Sequence, residues 1–161
     1  MSNVLILGAN GHIARFAEAD LLQHSEDKLT YYLRHPDRLT ITDASRETLI
    51  EGSTNDLDNL IEALTGIDIV YANLAGSDII LQAKTIVSAM KAVGVKRLYW
   101  ISTLGIYDEV PGEFGRWNHH MLDGGYLERY TAAAEVIETS GLDYTIIRPA
   151  WLTNHDEIDY E

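Results

Sequence analysis

The sequence predicts an α/β protein: a doubly wound parallel sheet with helices on both faces, folded as a single domain over residues 1–161. Short runs rich in β-branched and aromatic residues alternate along the whole chain with stretches carrying apolar residues at helical spacing. Several of the short runs are apolar at nearly every position, as strands buried on both faces are. No repeat, low-complexity tract or interdomain linker breaks the alternation.

Taken in order, the strands are "NVLILG", "LTYYLR", "TLIEG", "IDIVYANLAG", "KRLYWIST" and "DYTIIRP". Between them "GHIARFAEADLLQH", "NDLDNLIEALTG", "SDIILQAKTIVSAMKAVG" and "GYLERYTAAAEVIETSG" read as helices. Gly66, Gly94 and Gly141 each follow a helical run, where a left-handed C-cap is expected, and Asp56 suits the N-cap of the second helix. Strand–helix alternation of this kind implies right-handed βαβ units. "EVPGEFGRWNHHMLDGG" is the longest irregular stretch; it follows the fifth strand and is expected to be a lid-like loop.

Composition bounds the function. At 46% hydrophobic and 23% charged residues the chain is an ordinary globular sequence. Having no cysteine, it can carry neither a disulfide framework nor a thiolate nucleophile or metal site. A net charge of −13 argues against nucleic acid or an anionic membrane as partner, because both need clustered Lys and Arg. A small anionic ligand is still allowed, held by local donors. The start, "MSNVLIL", lacks the basic region of a signal peptide, and its apolar run is too short for a membrane span; a cytoplasmic location is the expectation.

The first strand leads into Gly8-Ala9-Asn10-Gly11-His12-Ile13-Ala14, a G-x-x-G-x-x-A run. The first glycine permits a tight strand-to-helix turn, the second lets a pyrophosphate approach the backbone, and Ala14 lets helix and strand pack closely. Phosphates then sit at the helix N-terminus, where free N–H groups and the helix dipole favour negative charge. The expected ligand is a dinucleotide, lined at this corner by Gly8, Asn10, Gly11, His12 and Ile13.

Which dinucleotide is decided at the end of the second strand. An NAD site usually carries Asp or Glu about 20 residues beyond the glycines. Here "YYLRHPDRL" puts Arg34 at that place, with Arg38 one turn further. A guanidinium suits a 2′-phosphate, so NADP (as NADPH) is expected in preference to NAD. Arg15 could also reach the phosphate or simply face solvent.

The glycine run, "YLRHPDRL", "NLAG", "YWISTLGIYD" and "SGLDYTIIRPAWLT" together resemble the short-chain dehydrogenase/reductase superfamily. More narrowly, they resemble its atypical NAD(P)-binding branch of NmrA-like, biliverdin reductase B/flavin reductase-like and epimerase/dehydratase-labelled proteins. The resemblance covers nearly the whole chain and implies a Rossmann-type fold. It further implies that Asn73, Ala75 and Gly76 pass beside the adenine ribose, that Ser102 lies near the nicotinamide as the candidate catalytic group, and that Arg148, Pro149 and Ala150 wrap the carboxamide end. Ser102 could instead satisfy a buried backbone group. Ser53 stands where many relatives hold the adenine amino group with aspartate. No metal is expected; the adjacent His119 and His120 point different ways on a helix, although one could donate to a substrate.

The departures matter as much. Most reductases of the superfamily carry Tyr-x-x-x-Lys on the helix after the fifth strand, and this helix reads "GYLERYTAAAEVIE", with Leu127 and Thr131 where the pair should fall. The chain also stops soon after the sixth strand, so it is either a minimal member or a partial sequence, with an acidic tail at Asp156, Glu157, Asp159 and Glu161. The favoured function is reduction of a flavin, quinone or similar conjugated acceptor by NADPH. Such an acceptor needs no Tyr-Lys pair, and Tyr107, Phe114, Trp117 and Trp151 could form its stacking wall. A non-catalytic NADP(H) sensor is the alternative, and an epimerase or dehydratase ranks last. The protein is expected to be a monomer or homodimer.

Overall fold

The computed structural model describes residues 1–153; the acidic tail at Asp156, Glu157, Asp159 and Glu161 lies outside the described residues. All six expected strands form: β1 (Asn3–Leu7), β2 (Lys28–Leu33), β3 (Glu47–Glu51), β4 (Ile69–Ala72), β5 (Arg97–Ile101) and β6 (Asp143–Ile147). They make one parallel sheet in the order β3-β2-β1-β4-β5-β6. The order reverses between β1 and β4, and at such a switch point the loops leaving the strand tips splay apart and open a crevice.

The helices are α1 (His12–His24), α2 (Leu57–Ala63), α3 (Ile79–Val93), α4 (Gly112–Met121) and α5 (Tyr126–Glu138). Strand side chains alternate between faces, and the two faces are covered unequally. On one, Leu5, Leu7, Val70, Ala72, Leu98 and Trp100 pack beneath α2, α3 and α5. On the other, Val4, Ile6, Leu29 and Tyr31 pack beneath α1, with Ala14 fully buried against them. Asp56 caps α2 by accepting the Asn59 amide at 3.2 Å. Gly94 is the left-handed C-cap of α3 (φ 81°), whereas Gly66 and Gly141, although left-handed (φ 78° and 76°), lie in the turns beyond α2 and α5, whose C-caps are Leu64 and Thr139.

The expected irregular lid is corrected: its middle is the ten-residue helix α4. Two glycines, an asparagine and paired histidines gave it weak propensity. Tertiary contact supplies what propensity does not. A Cβ on Gly115 would lie 1.9 Å from the Val110 carbonyl oxygen, so only glycine lets the helix close onto its own leading loop. Asn118 is fully buried beneath it. Among the described residues no helix is long and apolar enough to cross a membrane, and no group of three or more metal-binding side chains assembles.

Candidate functional site

The corner between β1 and α1 is built by glycine. Gly8 has φ of 79°, and a Cβ there would lie 2.1 Å from the Asn73 carbonyl oxygen. Gly11 has ordinary φ of −71°; what it offers is space, since a Cβ would come within 2.6 Å of the Asn73 side-chain nitrogen Nδ2. Gly11 N–H closes the turn onto the Gly8 carbonyl (3.0 Å), and the next bond into the helix is Arg15 N–H to the Gly11 carbonyl (3.0 Å). The amides of His12 and Ile13 therefore donate to nothing among the described residues, and no side chain caps α1. Uncapped amides at a helix start favour an anion.

A cleft of about 500 Å³ opens beside this corner. Its walls include Gly8, Asn10 and Gly11 from the corner, Arg34, His35 and Arg38 after β2, Ser53 to Asn55 after β3, and Asn73 to Asp78 after β4. The sequence thus brings together Gly8, Asn10, Gly11, Arg34, Ser53, Asn73, Ala75 and Gly76. The Pro36–Arg38 3₁₀ turn carries the second arginine back to the wall. Neither the Arg34 nor the Arg38 guanidinium makes a hydrogen bond or ion pair among the described residues, while Asp78 feels the Arg34 charge. Free guanidinium groups, uncapped amides and a glycine corner with no room for a Cβ all fit the phosphates of a dinucleotide. Arg15 is elsewhere: it bonds the Asn10 side chain and faces the groove on the far side of α1.

The remaining expected residues lie outside this cleft. Ser102 follows β5, is 7% exposed, and donates its backbone N–H to the Ile147 carbonyl at 2.8 Å. Its Oγ is buried and meets no partner among the described residues, so it satisfies no backbone group there. Pro149 accepts the Leu104 amide at 3.1 Å, which ties the chain after β6 to the chain after β5. Arg148 pairs with Glu109 and lies 4.9 Å over the Tyr107 ring. Ala150 follows in the same strap, with no regular secondary structure.

Three of the four expected aromatics gather beside that strap. Phe114 and Trp117 stack at 5.5 Å, and Trp117 meets Trp151 at 4.9 Å. Asn118 fixes them, accepting the Trp151 indole N–H at 2.8 Å and donating to the Leu104 carbonyl at 3.4 Å. All three rings remain partly exposed. Tyr107 instead turns toward α5, where its hydroxyl donates to Glu138; burial first, then that bond, push its pKa up to about 12. His119 bonds Asp108 at 3.0 Å rather than facing the aromatics. Leu127 is buried in the core and Thr131 donates to the Ile106 and Leu127 carbonyls, so the positions of the missing acid/base pair are structural.

Sequence reasoning missed the wall contributed by the start of α3. Asn55 donates to Asp78 at 2.6 Å, Gln82 donates to Asp78 at 2.8 Å and to the Ala75 carbonyl at 3.2 Å, and Thr54 donates to Gln82 at 2.9 Å. The available signal was the position of "SD" directly after "NLAG", at the mouth of the crevice.

Strand order, glycine corner and crevice define a dinucleotide-binding Rossmann domain. Comparison with known proteins narrows this: residues 8–161 match the family described as NAD(P)H-binding, and the chain belongs to it. A Rossmann-fold NAD(P)-binding family protein from Shigella flexneri is 41% identical, with a TM-score of 0.82 over 100% of this chain and 73% of that one. A short-chain dehydrogenase/reductase from Veillonella parvula, solved in complex with NADP, is 31% identical, with a TM-score of 0.89 over 97% of this chain and 72% of that one. The bifunctional pinoresinol-lariciresinol reductase of Forsythia intermedia is 26% identical over 91% of this chain, which spans about half (49%) of that protein's length.

Proposed function

We propose that this chain is an NADPH-dependent reductase that serves a flat conjugated acceptor such as a flavin or quinone. The observation that carries the reading is the pair of unpaired guanidinium groups, Arg34 and Arg38, on the wall of a cleft whose floor is an uncapped helix start. Support comes also from the Veillonella parvula relative solved with NADP.

In this reading the His12 and Ile13 amides hold the pyrophosphate, with Gly8, Asn10 and Gly11 forming the bed beneath it. Asn73, Ala75 and Gly76 run beside the adenosine ribose, and Arg34 pairs with its 2′-phosphate. NADPH supplies the hydride. Ser102, whose Oγ has no partner among the described residues, donates a hydrogen bond near the reacting ring. Phe114, Trp117 and Trp151 exclude water and hold the acceptor flat, while Arg148, Pro149 and Ala150 close the nicotinamide end. A delocalised acceptor takes hydride without a side-chain acid and collects its proton from water, so no Tyr-Lys pair is needed.

The experiment is to mix protein, NADPH and a panel of free flavins and quinones and follow loss of reduced-nicotinamide absorbance. Turnover with at least one acceptor is expected. Tight NADPH binding with no turnover would replace the reading by that of a non-catalytic NADP(H) sensor. Arg34→Ala is expected to weaken NADPH by about ten- to a hundredfold while leaving NADH nearly unchanged. Equal losses would show that Arg34 does not read the 2′-phosphate.

A further inference from the structure

We propose that Asp78 accepts a hydrogen bond from the exocyclic amino group of adenine, and so selects adenine over a purine bearing a carbonyl at that position. The inference rests on the NADPH reading above and assigns a wall of the cleft, the start of α3, which that reading leaves without a role.

Asp78 stands at the N-cap position of α3, where an aspartate ordinarily turns its carboxylate onto the next amides. Asp56 does so at the head of α2, accepting from Asn59 at 3.2 Å. Asp78 does not: it makes no side-chain cap bond. Its carboxylate instead folds back over Gly76, so closely that a Cβ on that glycine would lie 2.6 Å from Oδ1. There it is held from two sides, Oδ2 accepting from Asn55 at 2.6 Å and Oδ1 accepting from Gln82 at 2.8 Å. Gln82 is itself fixed by the Ala75 carbonyl at 3.2 Å and the Thr54 hydroxyl at 2.9 Å. Helix capping is thus given up to hold one carboxylate in the cleft.

A carboxylate there has a cost. Among the described residues Asp78 is the only acidic side chain lining a cleft whose other charged walls are Arg34 and Arg38. It opposes the field those guanidinium groups offer a phosphate, and it is ionised, since the Asn55 bond first, and the Gln82 bond with it, hold its pKa below the usual carboxylate value. Such a group is useful only to a donor. An ionised carboxylate has about four acceptor positions, and the two amides fill two of them.

The position of the donor follows from the chemistry of the ligand. The 2′-phosphate belongs to the adenosine ribose, so Arg34 marks the adenosine half, and the base extends from there toward the tip of β3. Ser53, the acceptor expected at that tip, is partly committed: its carbonyl takes the Tyr32 hydroxyl at 3.1 Å and its Oγ takes the Asn55 amide at 3.3 Å. Asp78 faces the same loop from the other wall through Asn55. The exocyclic amine of adenine carries two protons, whereas hypoxanthine carries a carbonyl that the carboxylate repels.

The test is calorimetry with NADPH and its hypoxanthine analogue, on the wild-type protein and on Asp78→Asn. Wild type is expected to prefer NADPH by about tenfold or more. Asp78→Asn, which keeps the size of the side chain and can donate to a carbonyl, is expected to bring the two affinities together and, with a charge opposing Arg34 removed, to keep NADPH preferred over NADH at least as strongly as in wild type. Equal wild-type affinity for the two compounds overturns the inference, whatever the variant does and even if the variant fails to fold. So does an Asp78→Asn protein that loses both compounds alike, or one that loses NADH selectively, which would place Asp78 on the ribose hydroxyls. If neither compound binds, the NADPH reading fails and this inference falls with it; binding of both alike removes only the inference.

Discussion

Glu18 works against the fold that contains it. It lies on the inner side of α1, 6% exposed, and its Oε1 is buried without a hydrogen-bond partner among the described residues. Burial pushes its pKa up to about 7; Arg15 pulls the other way, and the nearby Glu47 adds to the rise. Glu47 is buried too, yet is held ionised below the usual value: burial opposes the charge, but the Tyr31 hydroxyl at 2.7 Å and the Asp43 and Thr42 amides outweigh it. The contrast is one of partners, not of depth. In the unfolded chain Glu18 releases its proton near the ordinary 4.5, in the folded protein near 7. Between those values the folded state binds more protons, so stability is full below about 4.5 and is lost as pH rises through about 7. Glu18→Gln is expected to match wild type in Tm near pH 4 and to exceed it at pH 8, by an amount worth roughly 1–3 kcal/mol. A Tm difference that does not change with pH would refute this.

At the scale of elements, legibility followed the strength of local pattern. The strands could be read because their apolar runs are short, dense and bounded by glycine, and the first, third and fifth helices because each carries a continuous inward stripe. α2 could be read from Asp56 and Gly66 as much as from its few apolar residues. α4 could not, because its sequence carries little helical preference and its order depends on contacts remote in sequence, Asn118 with Trp151 and Gly115 with Val110. The candidate site divides along the same line. Gly8, Gly11 and Arg34 sit at fixed offsets from a strand end, and a spacing rule reaches them. Asp78 is not legible in this way, because a polar residue at the start of a helix reads as a cap, whereas in the fold its side chain caps nothing. The bond between Arg148 and Glu109, from the loop after β5, joins residues remote in sequence, and no local pattern announces it.

For the molecule as a whole, the unequal covering of the sheet sets a gradient of stability. β1 and β4 lie in the centre, and Leu5, Leu7, Val70 and Ala72 are wholly buried. β6 pairs only with β5, and Asp143, Tyr144 and Ile147 on it are exposed. Ile69 and Tyr71 of β4 still pack against the cluster under α1, but beneath β5 and β6, on the side away from α3 and α5, no helix lies among the described residues. The surface there is finished by Arg97, which spreads 4.2 Å over the Tyr99 ring and bonds Asp143 at 2.9 Å and Thr145 at 2.8 Å. A long cationic side chain laid over an aromatic covers apolar area while keeping its charge in water, but it gives way more easily than a packed helix. Opening β6 therefore exposes little that is not already near solvent, whereas opening β1 breaks both hydrophobic clusters at once. In native-state hydrogen exchange the amides of β1 and β4 are expected to exchange only with global unfolding, and those of β6 through a smaller opening that leaves the rest of the sheet protected. Equal protection across all six strands would mean that the sheet unfolds as one unit, and that the arginine cover seals its face as firmly as a helix does.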